Sequence, residues 1–178
     1  MIPAGLAVVA LLLWPLGCAA EGMVRLNSGY DMPAIGLGTW ALSNDEAENS
    51  VYHALKCGMR LIDTARYYQC EIGVGKGLKR AIHEGIVTRE EVFITSKIMP
   101  GDYDRAAQGI DDSLADLDVD YIDLMLIHQP GWNDEAVYRA LAEIQGVPIN
   151  KHLLFTSIHY NFPCEPISLL TVQVCDEF

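Results

Sequence analysis

The chain of 178 residues is 51% hydrophobic and 20% charged, a balance that suits a folded globular domain and excludes a disordered tail. Its 24 acidic residues outnumber its 12 basic ones, and a net charge of −12 repels phosphate backbones, so nucleic acid is not an expected partner. The five cysteines, Cys18, Cys57, Cys70, Cys164 and Cys175, form no CxxC pair and no zinc spacing, so neither a disulfide framework nor a structural metal site is expected.

Residues 1–22 differ from the rest. Ile2 to Ala20 carries no charge, its centre from Ala7 to Trp14 is almost purely aliphatic, and Gly17-Cys18-Ala19-Ala20 supplies small residues of the kind a signal peptidase cuts after. This leader reads as a secretory signal or a short anchor, which makes the protein secreted or membrane-anchored and confines membrane contact to residues 1–22. No Lys or Arg precedes the apolar run, and the alternative is translation from Met23, with a cytoplasmic product.

From Met23 the pattern is regular. Val24–Leu26 and the stretch near Met32 flank Asn27-Ser28-Gly29 as a short hairpin. Ala34–Gly38 is an apolar run. Ser43-Asn44-Asp45-Glu46 is a capping box that opens a helix through Ala47, Val51 and Leu55, and Gly58 stops it. Arg60–Thr64 reads as a buried strand. Glu71–His83 reads as a helix with Val74, Leu78 and Ile82 on one face, ended by Gly85. Val92–Ser96 is a strand and Asp104–Leu117 a helix with Ile110, Leu114 and Leu117 inward. Tyr121–Ile127 is another apolar strand, and Asn133 caps a helix through Glu143. Strands that are apolar runs, alternating with helices across short connections, predict an α/β fold with a parallel sheet covered by helices. Gly73-Val74-Gly75-Lys76-Gly77 has the look of a nucleotide loop, but it lies inside a predicted helix and follows no strand, so helix packing explains these glycines better.

Three apolar strands run into titratable groups: Leu61-Ile62 into Asp63, Val92–Ser96 into Lys97, and Leu124–Ile127 into His128. The carboxyl ends of parallel barrel strands share one face, so these groups are expected to converge, with Tyr68 in the loop after Asp63. A tyrosine with a reference pKa of about 10 is a poor proton donor at neutral pH until a nearby cation favours its phenolate. Lys97 is that cation, Asp63 offsets its burial, and His128 hydrogen-bonds a substrate oxygen. The set makes a general acid beside a polarised carbonyl, with no nucleophile and no metal, so the missing reagent is a hydride from a cofactor.

These segments resemble the aldo-keto reductase family. Gly58-Met59-Arg60-Leu61-Ile62-Asp63-Thr64-Ala65, with Tyr68, Glu71, Val74 and Gly75, follows its first signature, except that Met59 stands where an aromatic is usual and Cys70 replaces a common Asn. Ile94-Thr95-Ser96-Lys97 and Asp120–His128 follow two further segments, and Ala34–Trp40 is similar to the first barrel strand. The resemblance implies a (β/α)8 barrel that reduces aldehydes or ketones with NADPH, with Tyr68 as proton donor, Asp63 and Lys97 tuning it, and His128 orienting the carbonyl. It implies that Gly38, Thr39, Trp40 and Asp63 bind the cofactor and that Trp40, Gln129 and Trp132 face a small carbonyl substrate.

The resemblance covers 23–143, and a whole barrel takes roughly 250 residues. The expectation is therefore an incomplete TIM barrel, about the first four βα units after an N-terminal hairpin, followed by an unmatched tail over 144–178. In that tail Leu153–Ile158 and Leu169–Val174 are candidate strands, and His152, His159, Cys164 and Cys175 fit no common metal spacing. Most family segments that bind the dinucleotide are missing from the chain. The competing expectation is thus a truncated, catalytically inactive fragment that acts, if at all, by protein association through exposed strand edges.

Overall fold

The computed structural model describes residues 22–26, 29–129 and 149–154. The leader, the helix expected from Asn133, the strand expected over Leu169–Val174, and Trp132 lie outside the described residues.

The described chain opens with an antiparallel hairpin, β1 (Met23–Arg25) and β2 (Asp31–Pro33), with Val24 opposite Met32. Then follow β3 (Leu37–Gly38), α1 (Asn44–Lys56), β4 (Leu61–Asp63), α2 (Glu71–His83), β5 (Phe93–Ile98), α3 (Ala106–Leu117), β6 (Ile122–Ile127) and β7 (Ile149–Leu154). The strands pair in parallel in the order β3-β4-β5-β6-β7. A doubly wound sheet reverses its winding direction part-way, whereas this sheet runs in chain order throughout, as the wall of a (β/α) barrel does. The expected α/β architecture, a hairpin followed by parallel strands in barrel order, is the one observed among the described residues.

Side-chain parity divides the sheet. Ile62, Ile94, Ile98, Met125 and Ile127 point outward into one core with Ala47, Val51 and Leu55 of α1, Val74 and Leu78 of α2, and Ile110 and Leu117 of α3. Leu61, Phe93, Leu124 and Leu126 point inward into a second cluster, where Leu26 and Met32 of the hairpin segment cover them. With a period of two, the inward row continues along the same strands to Asp63, Lys97 and His128. The hairpin thus fills one end of the inner face and the titratable groups occupy the other.

Several boundaries differ from expectation. The first barrel strand shrinks to Leu37–Gly38, because β4 offers partners only at Ile62 and Asp63, and Ala34 N–H bonds Gly22 O at 3.1 Å instead. Strand β5 runs past Ser96 to Ile98, so Lys97 lies inside the strand rather than after it. A 3-10 segment over Pro100–Arg105 occupies the start of the expected helix, delaying α3 to Ala106. On α2, Ile82 is exposed and the buried face passes from Leu78 to Ala81, since steps of four overrun the helical repeat. Of the candidate strand Leu153–Ile158, Leu153 and Leu154 fall in β7 (Ile149–Leu154), where they pair with Met125 and Leu126, and residues 155–158 lie outside the described residues.

The glycines of α2 are packing devices, as the sequence indicates. A Cβ on Gly73 would lie 2.1 Å from the Asn44 carbonyl oxygen, and one on Gly75 would lie 2.2 Å from that of Leu117. Helix α2 therefore touches the backbone at the start of α1 and at the end of α3 directly.

Candidate active site

Asp63 ends β4, and the chain turns through Thr64 and Ala65 into a short 3-10 segment, Arg66–Tyr68, which closes on Gln69 in a left-handed conformation (φ 59°). That turn brings Tyr68 back over the sheet. Lys97 projects from β5 beside it. The ammonium has three N–H donors, and three acceptors surround it: Asp63 Oδ1 at 2.5 Å, Thr64 O at 3.0 Å and Tyr68 Oη at 3.1 Å. Lys97 is 3% exposed and Asp63 2%. Burial pushes the Asp63 carboxyl up and the Lys97 ammonium down, and the charge of each partner opposes that shift. A donor aimed at Tyr68 Oη stabilises the phenolate left behind when a proton departs.

His128 follows β6, and its backbone N–H extends the ladder to Ile98 O at 2.8 Å. Its ring stands edge-on to Tyr68, with centroids 5.4 Å apart. Burial first, and then the Lys97 cation, holds the imidazole below its ordinary pKa, so it is neutral near neutral pH. Both ring nitrogens are buried without a hydrogen-bond partner, and so is Asp63 Oδ2. Buried polar atoms are normally satisfied, so this unused capacity beside one tyrosine is what a polar ligand would fill.

The structure therefore brings Asp63, Tyr68, Lys97 and His128 together. It also sets the end of β3 against them. Thr39 donates twice to the Asp63 carbonyl, from N at 3.0 Å and from Oγ1 at 3.1 Å, which fixes Gly38, Thr39 and Trp40 beside the group. Trp40 meets the Tyr68 ring edge-on at 4.9 Å. Gln129 is exposed immediately beyond His128.

Tyr67 is a residue that sequence reasoning missed. The residue is 56% exposed, and its ring lies nearly parallel to Trp40 at 5.9 Å and stands edge-on to His128 at 5.8 Å. It completes an aromatic surround for Tyr68. The signal was available: a second aromatic beside Tyr68 in a loop at the carboxyl end of a strand. A separate cleft lined by Tyr30, Arg60, Glu90 and Asp123 lies toward the opposite ends of the strands and takes no part in this group. Among the described residues, no cluster of His, Cys, Asp or Glu could hold a metal ion.

The model of the Aldo/keto reductase family matches residues 34–146. The chain belongs to that family. Among curated family relatives, the NADH-dependent D-xylose reductase of Candida parapsilosis is 49% identical over 113 residues, covering 62% of this chain and 35% of that protein. The NAD(P)H-dependent D-xylose reductase of Candida tenuis is 50% identical over 109 residues, 60% of this chain and 34% of that protein. Among solved structures, an aldo-keto reductase of Bombyx mori in complex with NADP superposes with a TM-score of 0.64 at 35% identity, covering 68% of this chain and 45% of that one. The chain spans about a third of the length of these curated relatives.

Proposed function

We propose that this chain carries the acid–base half of an NADPH-dependent carbonyl reduction, converting an aldehyde or ketone to an alcohol. The observation that carries the reading is Lys97 Nζ, held between Asp63 and Tyr68 Oη by two hydrogen bonds. Relatives that use NADH or NAD(P)H and a family structure containing NADP support the choice of cofactor. The orphaned Asp63 Oδ2 and the His128 nitrogens fit a polar ligand at this place. Gly38, Thr39, Trp40 and Asp63 would hold the nicotinamide end of the cofactor, which supplies a hydride when bound.

The chain's own residues do the rest. Tyr68 Oη gives its proton to the carbonyl oxygen as negative charge develops there. Lys97, kept in place by Asp63 and Thr64 O, stabilises the resulting phenolate. Neutral His128 offers a ring N–H to the same oxygen and orients it. Trp40, Tyr67 and Gln129 bound the substrate, and Trp132, just past His128, is the further residue proposed to face it.

The test is NADPH titration and aldehyde turnover by the full chain and by Tyr68→Phe. The expected result is saturable NADPH binding in both, with turnover lower in the variant by about 10²–10⁴-fold. A folded chain without saturable binding would reject the reading and leave the association-only fragment in its place.

A further inference from the structure

The segment that carries Tyr68 is held more by polar ties than by burial. None of Arg66, Tyr67 and Tyr68 is fully buried, and the 3-10 turn that they form has no side-chain cap at its start. It ends on Gln69 at φ 59°, a left-handed conformation that a non-glycine residue keeps only where its surroundings hold it. Before the turn, Lys97 Nζ donates to Thr64 O at 3.0 Å, and after it Asn44 Nδ2 donates to Gln69 O at 3.4 Å. Between these ends Arg66 reaches across to α3, where its Nη2 lies 2.6 Å from Asp112 Oδ2. The other carboxylate oxygen, Oδ1, accepts from Gln108 Nε2 at 2.8 Å, which orients the group.

Helix α3 is a firm anchor for that contact. Ile110 and Leu117 share the outer core with Ile94 and Ile98 of β5, and a Cβ on Gly109 would lie 3.2 Å from Ile98 Cδ1. Ser113, next to Asp112, donates from Oγ to Glu71 Oε2 at 3.0 Å, and Ser96 Oγ of β5 donates to Glu71 Oε1 at 2.6 Å. The buried Glu71 carboxylate thus pins α3 to the start of α2 and to the strand that carries Lys97.

We propose that Arg66 and Asp112 are positioning residues for the proton donor: their ion pair braces the 3-10 turn on α3 and thereby holds Tyr68 Oη at its 3.1 Å hydrogen bond from Lys97 Nζ. The inference rests on the reading of Tyr68 as proton donor. The two side chains are 40% and 36% exposed, so the brace is worth a small factor, and its loss loosens the turn without unfolding the chain.

The experiment is NMR on the full chain, labelled at the tyrosine ζ carbons, without cofactor. Tyr68→Phe identifies the Tyr68 signal. Arg66→Met and Asp112→Asn are each expected to move that signal in the same direction, and the double variant is expected to move it no further than either alone. A direct electrostatic effect behaves differently, because removing a cation and removing an anion displace the signal in opposite senses. Lys79→Met, which breaks the exposed ion pair to Asp118 just past α3, should leave it in place. Opposed, additive or absent shifts in folded variants overturn the proposal. The second readout is aldehyde turnover. There kcat should fall about two- to five-fold in each single variant, no further in the double variant, with KM unchanged. It should recover in the reversed pair, Arg66→Asp with Asp112→Arg. A fall confined to kcat/KM through KM overturns the proposal equally. A chain that proves inactive as a reductase rejects the reading of its function, while the Tyr68 signal still decides whether the ion pair positions that side chain.

Discussion

His128 combines a half-buried ring, whose two nitrogens are buried and unsatisfied, with a neighbouring cation, and this fixes the sign of its effect on stability. Its folded pKa lies below the ordinary value of 6.5. The stability it contributes is present above that value and is lost as pH falls through the lowered one. Asp63 and Glu71 run the other way: with raised folded values, their contribution is present below the ordinary carboxylate pKa and lost as pH rises through the raised ones. Replacing His128 alone separates the two slopes. The unfolding free energy of the unmodified chain, measured in urea from about pH 7 to about pH 5, should fall more steeply than that of His128→Gln. In the same samples the ring protons of His128 should titrate with a midpoint below 6.5.

At the scale of elements, α1 and α2 are specified by different means. Helix α1 is opened by a complete capping box. Ser43 Oγ accepts from Glu46 N at 3.3 Å, and the Glu46 carboxylate accepts from Ser43 N at 2.9 Å. Ser43→Ala should cost about 1 kcal/mol in chemical denaturation, with the fold retained. Helix α2 gets no cap from its own N-cap residue, Cys70; Asn44 Oδ1 of α1 accepts from Gly73 N at 2.7 Å instead, and the helix depends further on close backbone approach. Gly75→Ala forces a methyl group against the Leu117 carbonyl, which cannot yield without moving the end of α3. The expected loss is about 1–3 kcal/mol, read in the same assay, and it should exceed that of an Ala at exposed Lys76. The cap was legible from four consecutive residues. The buried face of α2 was less so: a step-of-four reading chose Ile82, but the helix turns Ala81 inward.

Across the whole molecule, the net charge of −12 works against compaction. Raising ionic strength from about 0.01 M to about 0.15 M shortens the screening length from about 30 Å to about 8 Å. The thermal midpoint should rise by about 2–4 °C over that range, with a neutral osmolyte as control. The parallel alternation and the convergence of Asp63, Lys97 and His128 were legible because apolar runs mark buried strands and because a barrel gathers its strand ends on one face. Tyr67 and the Ser96–Glu71–Ser113 contacts were not. They depend on how a 3-10 turn folds back and on which helix lies behind which strand, and neither relation has a sequence period. The start of β7 at Ile149 was not legible either, because the strand begins where it pairs with Ile122 of β6.

Asp63, Tyr68, Lys97 and His128 come from three neighbouring strands and the loop between two of them, β4 through the residue after β6. They therefore occupy one unbroken run of chain. The group proposed to handle the proton is encoded in one continuous segment of the chain, from Asp63 to His128. A cut beyond His128 leaves it entire, while a cut between β4 and β6 divides it between two molecules.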